Sequence, residues 1–277
     1  MKKLPAGLLI VLVLVLVLAG FWYLYAQRQA VESVPFQTVP VEAQPTTETP
    51  AIAAETIPGV AEQEEFSEVK YSYPRFSGLE DAAVEEKINA DIKDTIVKAA
   101  ENNKGQYADV CGAVDPSDPD GLQCRFTYDY EYKSFTQLSD RIFSVRLETY
   151  MYAGGAHGNT NVEFINYNLE TGERLDWRSV FTKDSDYLGA IAKYANADIK
   201  KQLLTGEDSM SQADLIDEGS AATTENYADG NVGFDEQGLI VVFQPYQVAA
   251  YAQGAVISSV PYGELKGVID ENGLLKK

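Results

Sequence analysis

A glycine-rich stretch between two strand-like segments constrains the fold of this chain more than any other feature. The stretch, Ala153–Gly158, reads AGGAHG and holds the only histidine in the sequence. Before it, residues 141–152 alternate between apolar Phe143, Val145, Leu147 and Met151 and polar or aromatic Arg146, Glu148, Tyr150 and Tyr152. A period of two indicates a strand with one buried face. After it, the apolar segment Val162–Leu169 predicts a second strand, so the two form a hairpin with a wide turn.

Two further segments carry the apolar spacing of amphipathic helices. Residues 79–100 place Val84, Ile88, Ile92, Ile96 and Ala99 on one stripe. Residues 185–204 do the same with Leu188, Ile191, Ala192, Ala195, Ile199 and Leu203. Because these helices alternate along the chain with groups of strands, the pattern predicts an α+β fold with two long helices packed on antiparallel sheet.

The first 65 residues have the composition of an anchor and a linker. Residues 4–25 carry no charge and follow Lys2 and Lys3, which predicts a transmembrane helix with the rest of the chain outside the cytoplasm. A cleaved signal peptide is the alternative. Residues 29–65 hold regularly spaced prolines and seven glutamates without Lys or Arg, as disordered linkers do. We expect an anchor in 1–28, a linker in 29–65, and two α+β halves in 66–165 and 166–277.

The charge balance excludes one class of partner. The formal net charge is −20, and residues 66–277 hold 19 basic and 35 acidic residues. Nucleic-acid binding requires basic patches that contact phosphates, so we expect no nucleic-acid partner. An acidic surface favours a basic partner instead.

Candidate groups for catalysis are few. One histidine cannot supply a three-histidine zinc site, and no G-x-S-x-G motif is present for a serine nucleophile. We expect no metal and no cofactor. The remaining candidates are His157 as a general base, and Glu148 with Glu163 as an acid–base pair. Their non-catalytic interpretations are a histidine that fixes the glycine turn and carboxylates on a solvated sheet face.

Tyrosines near the glycine-rich stretch are candidates for ligand binding. Tyr128, Tyr130 and Tyr132 alternate on one predicted strand, and Tyr150 and Tyr152 on the next. Such rows either stack on sugars and anchor protein partners, or pack across strands beneath a helix, and both interpretations stay open. The predicted binding site consists of Tyr150, Tyr152, Gly154, Gly155, His157 and Gly158.

Four motifs, in order along the chain, carry a family resemblance. They are Tyr73–Gly78 with Ile88–Ile92; Gly154–Gly158; Asn166–Glu173 leading into Leu175–Phe181; and Phe243–Tyr246 with Tyr251–Gly254 and Ile257–Leu265. In these motifs the chain resembles the paired domains of unknown function in RsiV-type anti-sigma factors and PdaC-type peptidoglycan deacetylases, over nearly all of residues 66–269. The resemblance implies an extracytoplasmic, wall-facing, non-catalytic module, and the anti-sigma members imply lysozyme sensing.

The chain also departs from both of these protein types. Very few residues precede the predicted membrane segment, so we expect no sigma-binding domain and no sigma factor as partner. A PdaC-type catalytic domain needs an Asp and two His around a metal. A single histidine cannot provide them, so we expect that domain to be absent.

Together these features favour a membrane-anchored, extracytoplasmic binding or sensor module of the cell envelope over an enzyme. The expected ligand is a basic lysozyme-like protein or the wall glycan. The alternative is a carboxylate-dependent enzyme acting on peptidoglycan, and a purely structural envelope protein is a third class.

Cys111 and Cys124, the only two cysteines, are predicted to form a disulfide, because the chain is expected to be exported and a turn-rich loop lies between them. Closing a loop of about 15 residues stabilises a fold by roughly 3 kcal/mol. In intact-mass measurements, the exported protein should take up an alkylating agent only after reduction. Two alkylatable thiols in the unreduced protein would contradict the prediction.

Overall fold

The computed structural model describes residues 52–111, 125–138, 141–203 and 227–275. These residues form nine strands and three α-helices. The strands are β1 (Ala53–Gln63), β2 (Ser67–Ser77), β3 (Phe126–Leu138), β4 (Ile142–Ala153), β5 (Asn159–Asn168), β6 (Glu173–Arg174), β7 (Val232–Phe234), β8 (Gly238–Phe243) and β9 (Val256–Pro261). The helices are α1 (Ala82–Asn103), α2 (Gln106–Cys111) and α3 (Tyr187–Leu203).

Strands β1 to β6 form one sheet in sequence order. Its neighbouring strands are antiparallel except for β2 and β3, which run parallel. Parallel neighbours need a crossover connection, and α1 and α2 lie in the connection between these two strands. The predicted α+β class is confirmed, whereas the prediction of purely antiparallel sheet is wrong for this pair.

Helix α1 covers one face of the six-stranded sheet. Asp81 caps its first turn, since its side chain accepts a hydrogen bond from the backbone N–H of Ala83 at 2.7 Å. The stripe predicted for this helix is buried, with Ala100 in place of Ala99 as its last member, because Ala100 follows Ile96 by four residues. The sheet residues beneath the helix include Val69, Phe76, Tyr128, Tyr130, Phe143, Val145, Leu147, Ile165 and Tyr167.

Strands β7 to β9 form a separate antiparallel sheet of three strands. Helix α3 packs against it and buries the predicted stripe, except for Leu188, which is only partly buried. The same core contains the fully buried aromatic side chains Trp177, Tyr227, Phe234 and Phe243. On its other side this sheet packs against β5, where Val242 contacts Val162 and Phe164.

A buried polar network joins the two sheets. Ser144 on β4 donates its hydroxyl to Oδ1 of Asn166 on β5 at 2.7 Å. Nδ2 of Asn166 donates to the carbonyl of Val232 at 2.7 Å, and the N–H of Phe234 donates to Oγ of Ser144 at 3.2 Å. Ser144 and Asn166 are 2% and 4% exposed, so these bonds replace hydration that both side chains lose on folding. The network fixes β7 against β4 and β5.

The structure corrects the predicted linker and shows where two of the strands end. Residues 53–63, predicted as linker, form β1, where Gly59 lets the Tyr71 ring lie across the strand: a Cβ there would be 2.2 Å from Tyr71 Cζ. Strand β2 continues through Pro74 to Ser77, beyond Ser72, the last residue that pairs with β3. Residues 133–138 continue β3 beyond a bulge after Tyr132.

The remaining predicted segments and boundaries lie partly outside the described residues. The predicted membrane segment, residues 4–25, and residues 29–51 of the linker lie outside the described residues. The boundary predicted between residues 165 and 166 falls inside β5. Across the described ranges, every helix is too short or too polar to cross a lipid bilayer.

Gly233→Ala is expected to lower the free energy of unfolding by about 1–3 kcal/mol, because added volume strains a packed core. A Cβ at Gly233 would lie 2.3 Å from Cδ1 of Phe164, whose side chain is 6% exposed. Gly263→Ala is the matched control, since its Cβ would meet nothing within 4 Å. Urea unfolding of both variants measures the effect. A Gly233→Ala midpoint equal to that of the control would contradict the described packing.

Candidate binding surface

The glycine-rich stretch connects β4 to β5, as predicted. Gly154 and Gly155 have φ angles of 83° and 91°, in the left-handed region that glycine adopts without strain. Tyr152, on the preceding strand, donates its hydroxyl to the Gly155 carbonyl at 2.9 Å. A tyrosine of the hairpin therefore helps to hold the hairpin loop in place.

A second loop, residues 244–254 between β8 and β9, packs against this hairpin. Nε2 of Gln244 donates to the Val162 carbonyl at 2.6 Å, and its Oε1 accepts from the Val162 N–H at 3.1 Å. Strand β6 pairs with β5 only at Tyr167 and Asn168, so no strand of the described residues lies beside Val162 on that side. The amide of Gln244 takes the place of such a neighbour and ties the second loop to β5.

Aromatic rings from both loops meet around Gly158. Tyr251 donates its hydroxyl to the Gly158 carbonyl, and its ring stacks on His157 with centroids 3.7 Å apart and an interplanar angle of 18°. Tyr246 lies beside Tyr251, with ring centroids 5.5 Å apart. The Tyr150 side chain lies over Gly158. A Cβ on that glycine would be only 2.4 Å from the tyrosine oxygen, so the absence of a side chain there allows this close approach. We call Tyr150, His157, Tyr246 and Tyr251 the loop patch.

The loop patch presents large rings to solvent. Tyr246 is 67% exposed and Tyr150 is 40% exposed. Among the described residues, the other exposed large hydrophobic side chains are Val60, Val110 and Met151. Tyr246 also has a φ of 73°, which is uncommon for a residue with a side chain and is found at functional surfaces. Exposed aromatic side chains on a fixed backbone are typical of contact surfaces.

The predicted binding residues divide between two roles. Tyr150 and His157 belong to the loop patch, whereas Gly154, Gly155, Gly158 and the half-buried Tyr152 build the loop beneath it. Tyr128 and Tyr130 are 9% and 4% exposed in the core under α1, so the packing interpretation is confirmed for both. Met151, predicted on the buried face, is 43% exposed because it lies at the hairpin end of β4.

Sequence reasoning missed Gln244, Tyr246 and Tyr251 as parts of the surface. Tyr251 and Gly158 are 93 residues apart, so no local periodicity relates them. The signal available was the pair of motifs Phe243–Tyr246 and Tyr251–Gly254. These entered the family resemblance without an assigned role.

His157 sits in the loop as predicted for a turn residue. Its Nδ1 lies 3.0 Å from the carbonyl oxygen of Gly158, and its ring face is covered by Tyr251. The side chain is otherwise exposed, and no carboxylate or hydroxyl of the described residues is hydrogen-bonded to it.

Glu148 and Glu163 lie on opposite faces of the sheet. Glu148 pairs with Val162 and Leu147 pairs with Glu163, and neighbouring side chains alternate between faces. Glu148 contacts Arg146 at 2.8 Å and Lys133 at 3.4 Å. The predicted acid–base pair is therefore wrong as a pair, since one ligand cannot lie between the two carboxylates.

Glu163 has a different environment, beside tyrosines of the core. Burial and, secondarily, the charge of Glu163 raise the pKa of the Tyr128 hydroxyl to about 12. The same two causes, in the same order, raise the pKa of Tyr130. Both phenols therefore stay protonated at neutral pH and are available as donors to the carboxylate.

The predicted disulfide involves one described residue. Cys111 ends α2 with a side chain that is 3% exposed, and the described residues contain no free thiol. Cys124 lies outside the described residues, so the pairing stays a prediction. Within the described ranges, no three His, Cys, Asp or Glu side chains are grouped so that they could hold a metal ion.

Comparison with known proteins divides the chain in two. Residues 60–160 match the family described as "Deacetylase PdaC", and residues 178–263 match "Protein of unknown function (DUF3298)". The chain pairs a PdaC-like segment with a DUF3298-like segment. The PdaC-like segment ends just after Gly158, and the DUF3298-like segment contains α3 and strands β7 to β9. The loop patch therefore combines side chains from both segments.

Individual relatives match different shares of the chain. The peptidoglycan-N-acetylmuramic acid deacetylase PdaC of Bacillus subtilis (strain 168) is 28% identical over 141 residues, which are 51% of this chain and 29% of the relative. The match thus spans less than a third of that enzyme. Crystal structures of DUF3298 family proteins from Pseudomonas aeruginosa PAO1 and Bacteroides fragilis NCTC 9343 have TM-scores of 0.53 and 0.50 at 15% and 16% identity. They cover 80% and 81% of this chain and 95% of their own lengths, and show a shared fold.

His157→Ala is expected to lower the free energy of unfolding by about 1 kcal/mol, because the ring loses its stacking on Tyr251. Tyr251→Phe is the companion variant, since it keeps the stacked ring and removes only the hydroxyl that binds Gly158. Chemical unfolding of each variant gives the two contributions separately. Unchanged stability of His157→Ala together with loss of ligand binding would instead assign the histidine to the binding contacts.

Proposed function

We propose that this protein is an extracytoplasmic binding module of the cell envelope, attached to the membrane through residues 4–25, and that it is not an enzyme. The family pairing supports the cellular setting, because the matched B. subtilis relative is named for chemistry on peptidoglycan. The loop patch supports the binding role. Its exposed tyrosines are the observation on which the proposal chiefly rests.

The loop patch is already arranged before any partner binds. Tyr251 is held by Gly158 and His157, and Gln244 holds the loop that carries Tyr246. Fixed side chains lose little conformational entropy on binding, which favours affinity. Aromatic anchors of this kind often dominate the binding energy of protein interfaces.

Charge supports a basic protein as the partner. Residues 52–277 hold 39 acidic and 19 basic residues, a net charge of −20. Such a field attracts cationic proteins and accelerates their association. A lysozyme-like muramidase is the proposed partner, since it is basic and acts in the same compartment.

The non-catalytic part of the proposal is supported by the position of the glutamates. Glu148 forms ion pairs with Arg146 and Lys133, and Glu163 lies among core tyrosines on the other face. Incubation of the full chain with peptidoglycan should release or alter no sugars. Turnover that is abolished by Glu148→Gln or Glu163→Gln would overturn this part.

Titration of the full chain with a lysozyme should show saturable binding that Tyr246→Ala weakens about tenfold, because an exposed aromatic anchor is lost. Val110→Ala is the matched control: it removes a side chain that is 41% exposed on α2, outside the loop patch. Binding of the unmodified chain should also weaken between 0.1 M and 1 M salt, where the Debye length falls from about 10 Å to about 3 Å.

Each outcome of this titration has a separate meaning. Absence of binding at low salt would refute the basic partner. Binding that Tyr246→Ala and Val110→Ala leave equally strong would refute the loop patch as the contact surface. Binding indifferent to salt would refute the electrostatic contribution.

A further inference from the structure

A second surface lies on the six-stranded sheet, on the face opposite α1. The strand register places three rows of side chains there: Glu68, Thr127 and Tyr152; Lys70, Asp129 and Tyr150; and Ser72, Glu131 and Glu148. The three-stranded sheet packs on the same side of the large sheet, but over β5 and the adjoining part of β4. The remaining part, over β2, β3 and the hairpin end of β4, is accessible. Lys70, Glu131 and Tyr150 are 44%, 42% and 40% exposed. We call these three rows the open face.

The open face is close to neutral, in contrast to the chain as a whole. Glu68 pairs with Lys70 at 2.7 Å, Glu131 pairs with Lys133, and Glu148 pairs with both Lys133 and Arg146. Lys133 and Arg146 lie outside the three rows but pair with carboxylates of those rows. Counted with Lys70, these cations number three against the four carboxylates Glu68, Asp129, Glu131 and Glu148, a net charge of −1 compared with −20 for the whole sequence. A polycation would gain little from this surface. An uncharged ligand with many polar groups fits it better.

Among the described residues, Asp129 is the one carboxylate of the open face that forms no hydrogen bond or ion pair. Its side chain is half-buried between Lys70 and Tyr150 in the middle row and forms no hydrogen bond or ion pair with them. Burial first, and then the charge of Glu131, raise its pKa above the ordinary value for an aspartate, against the smaller lowering effect of the charges of Lys70 and Lys133. A half-buried carboxylate beside an exposed ring lacks a donor that a ligand hydroxyl can supply.

We propose that the open face binds an uncharged oligosaccharide, with Tyr150 stacked on a sugar ring and Asp129 accepting a hydrogen bond from a sugar hydroxyl. Sugar hydroxyls both donate and accept, and the paired carboxylates, lysines and arginine of the face offer both functions. Tyr150 supplies apolar area for the C–H side of the ring, with a rigid side chain. The rows extend about 13 Å along β3, which suits an extended chain lying flat on the sheet. This site shares Tyr150 with the loop patch, whereas Asp129 belongs to the open face alone.

Calorimetric titration of the full chain with chitotetraose, an uncharged β-linked tetrasaccharide, tests the site. Asp129→Ala should weaken binding about tenfold, as loss of a hydrogen bond to a charged group does. Asp94→Ala is the matched control, because it removes an exposed aspartate on α1, away from the open face.

Because the pKa of Asp129 is raised, folding disfavours its charged form, and Asp129→Asn should fold as well as the unmodified chain. It should bind chitotetraose more weakly than that chain does. Binding should not change between low and high salt.

The two proposed surfaces can fail independently. Asp129→Ala should leave lysozyme binding unchanged, and Tyr246→Ala should leave chitotetraose binding unchanged. No chitotetraose binding, or binding that Asp129→Ala and Asp129→Asn leave at full strength, would overturn the oligosaccharide site whatever the lysozyme titration shows. Equal loss of chitotetraose binding in Tyr246→Ala would also overturn it, because the sugar would then occupy the loop patch.

Discussion

The hydrogen bonds of Ser144 and Asn166 are the constraint on which the arrangement of the two sheets depends. A buried hydroxyl or amide without a partner costs about 1–3 kcal/mol, so these two side chains stabilise only those positions of β7 that satisfy them. Apolar contacts such as Phe164 against Gly233 fill the remaining space, but they restrict the position of β7 relative to β4 and β5 less than the hydrogen bonds do. Polar groups in the core thus set the register between the sheets, and apolar groups supply most of the stabilisation.

The position of the second loop follows from that register. Once β8 is placed beside β5, Gln244 reaches the free backbone groups of Val162, and Tyr251 reaches the carbonyl of Gly158. The loop patch is therefore a product of the contact between the PdaC-like and DUF3298-like segments. Either segment alone would present only some of its rings. The complete loop patch therefore forms only when both segments are folded and in contact.

Local features were predictable from the sequence, and contacts between distant segments were not. The stripes of α1 and α3 and the hairpin around Gly154 follow from periodicity within a few turns or strands. The parallel pairing of β2 with β3 has no signal in local periodicity, since it depends on where the connection through α1 and α2 places β3 relative to β2. Strand β1 was missed because prolines and glutamates hide its half-buried positions, Ala54, Ile57 and Ala61. The predicted pairing of Glu148 with Glu163 is wrong for a simpler reason. A shift of one residue in strand register moves a side chain to the other face of the sheet, and sequence spacing alone does not give the register.

The outermost strand has a consequence for how this protein behaves at high concentration. Among the described residues β1 is one edge of the large sheet, and an edge strand of eleven residues is a template for pairing with another chain. Pro58 removes one donor near its centre, and the bulge between Val60 and Glu62 breaks the regular spacing of the rest. Glu55 and Glu62 add like charges that repel a second copy. The prolines and glutamates that made this strand resemble a linker in the sequence thus oppose edge-to-edge aggregation.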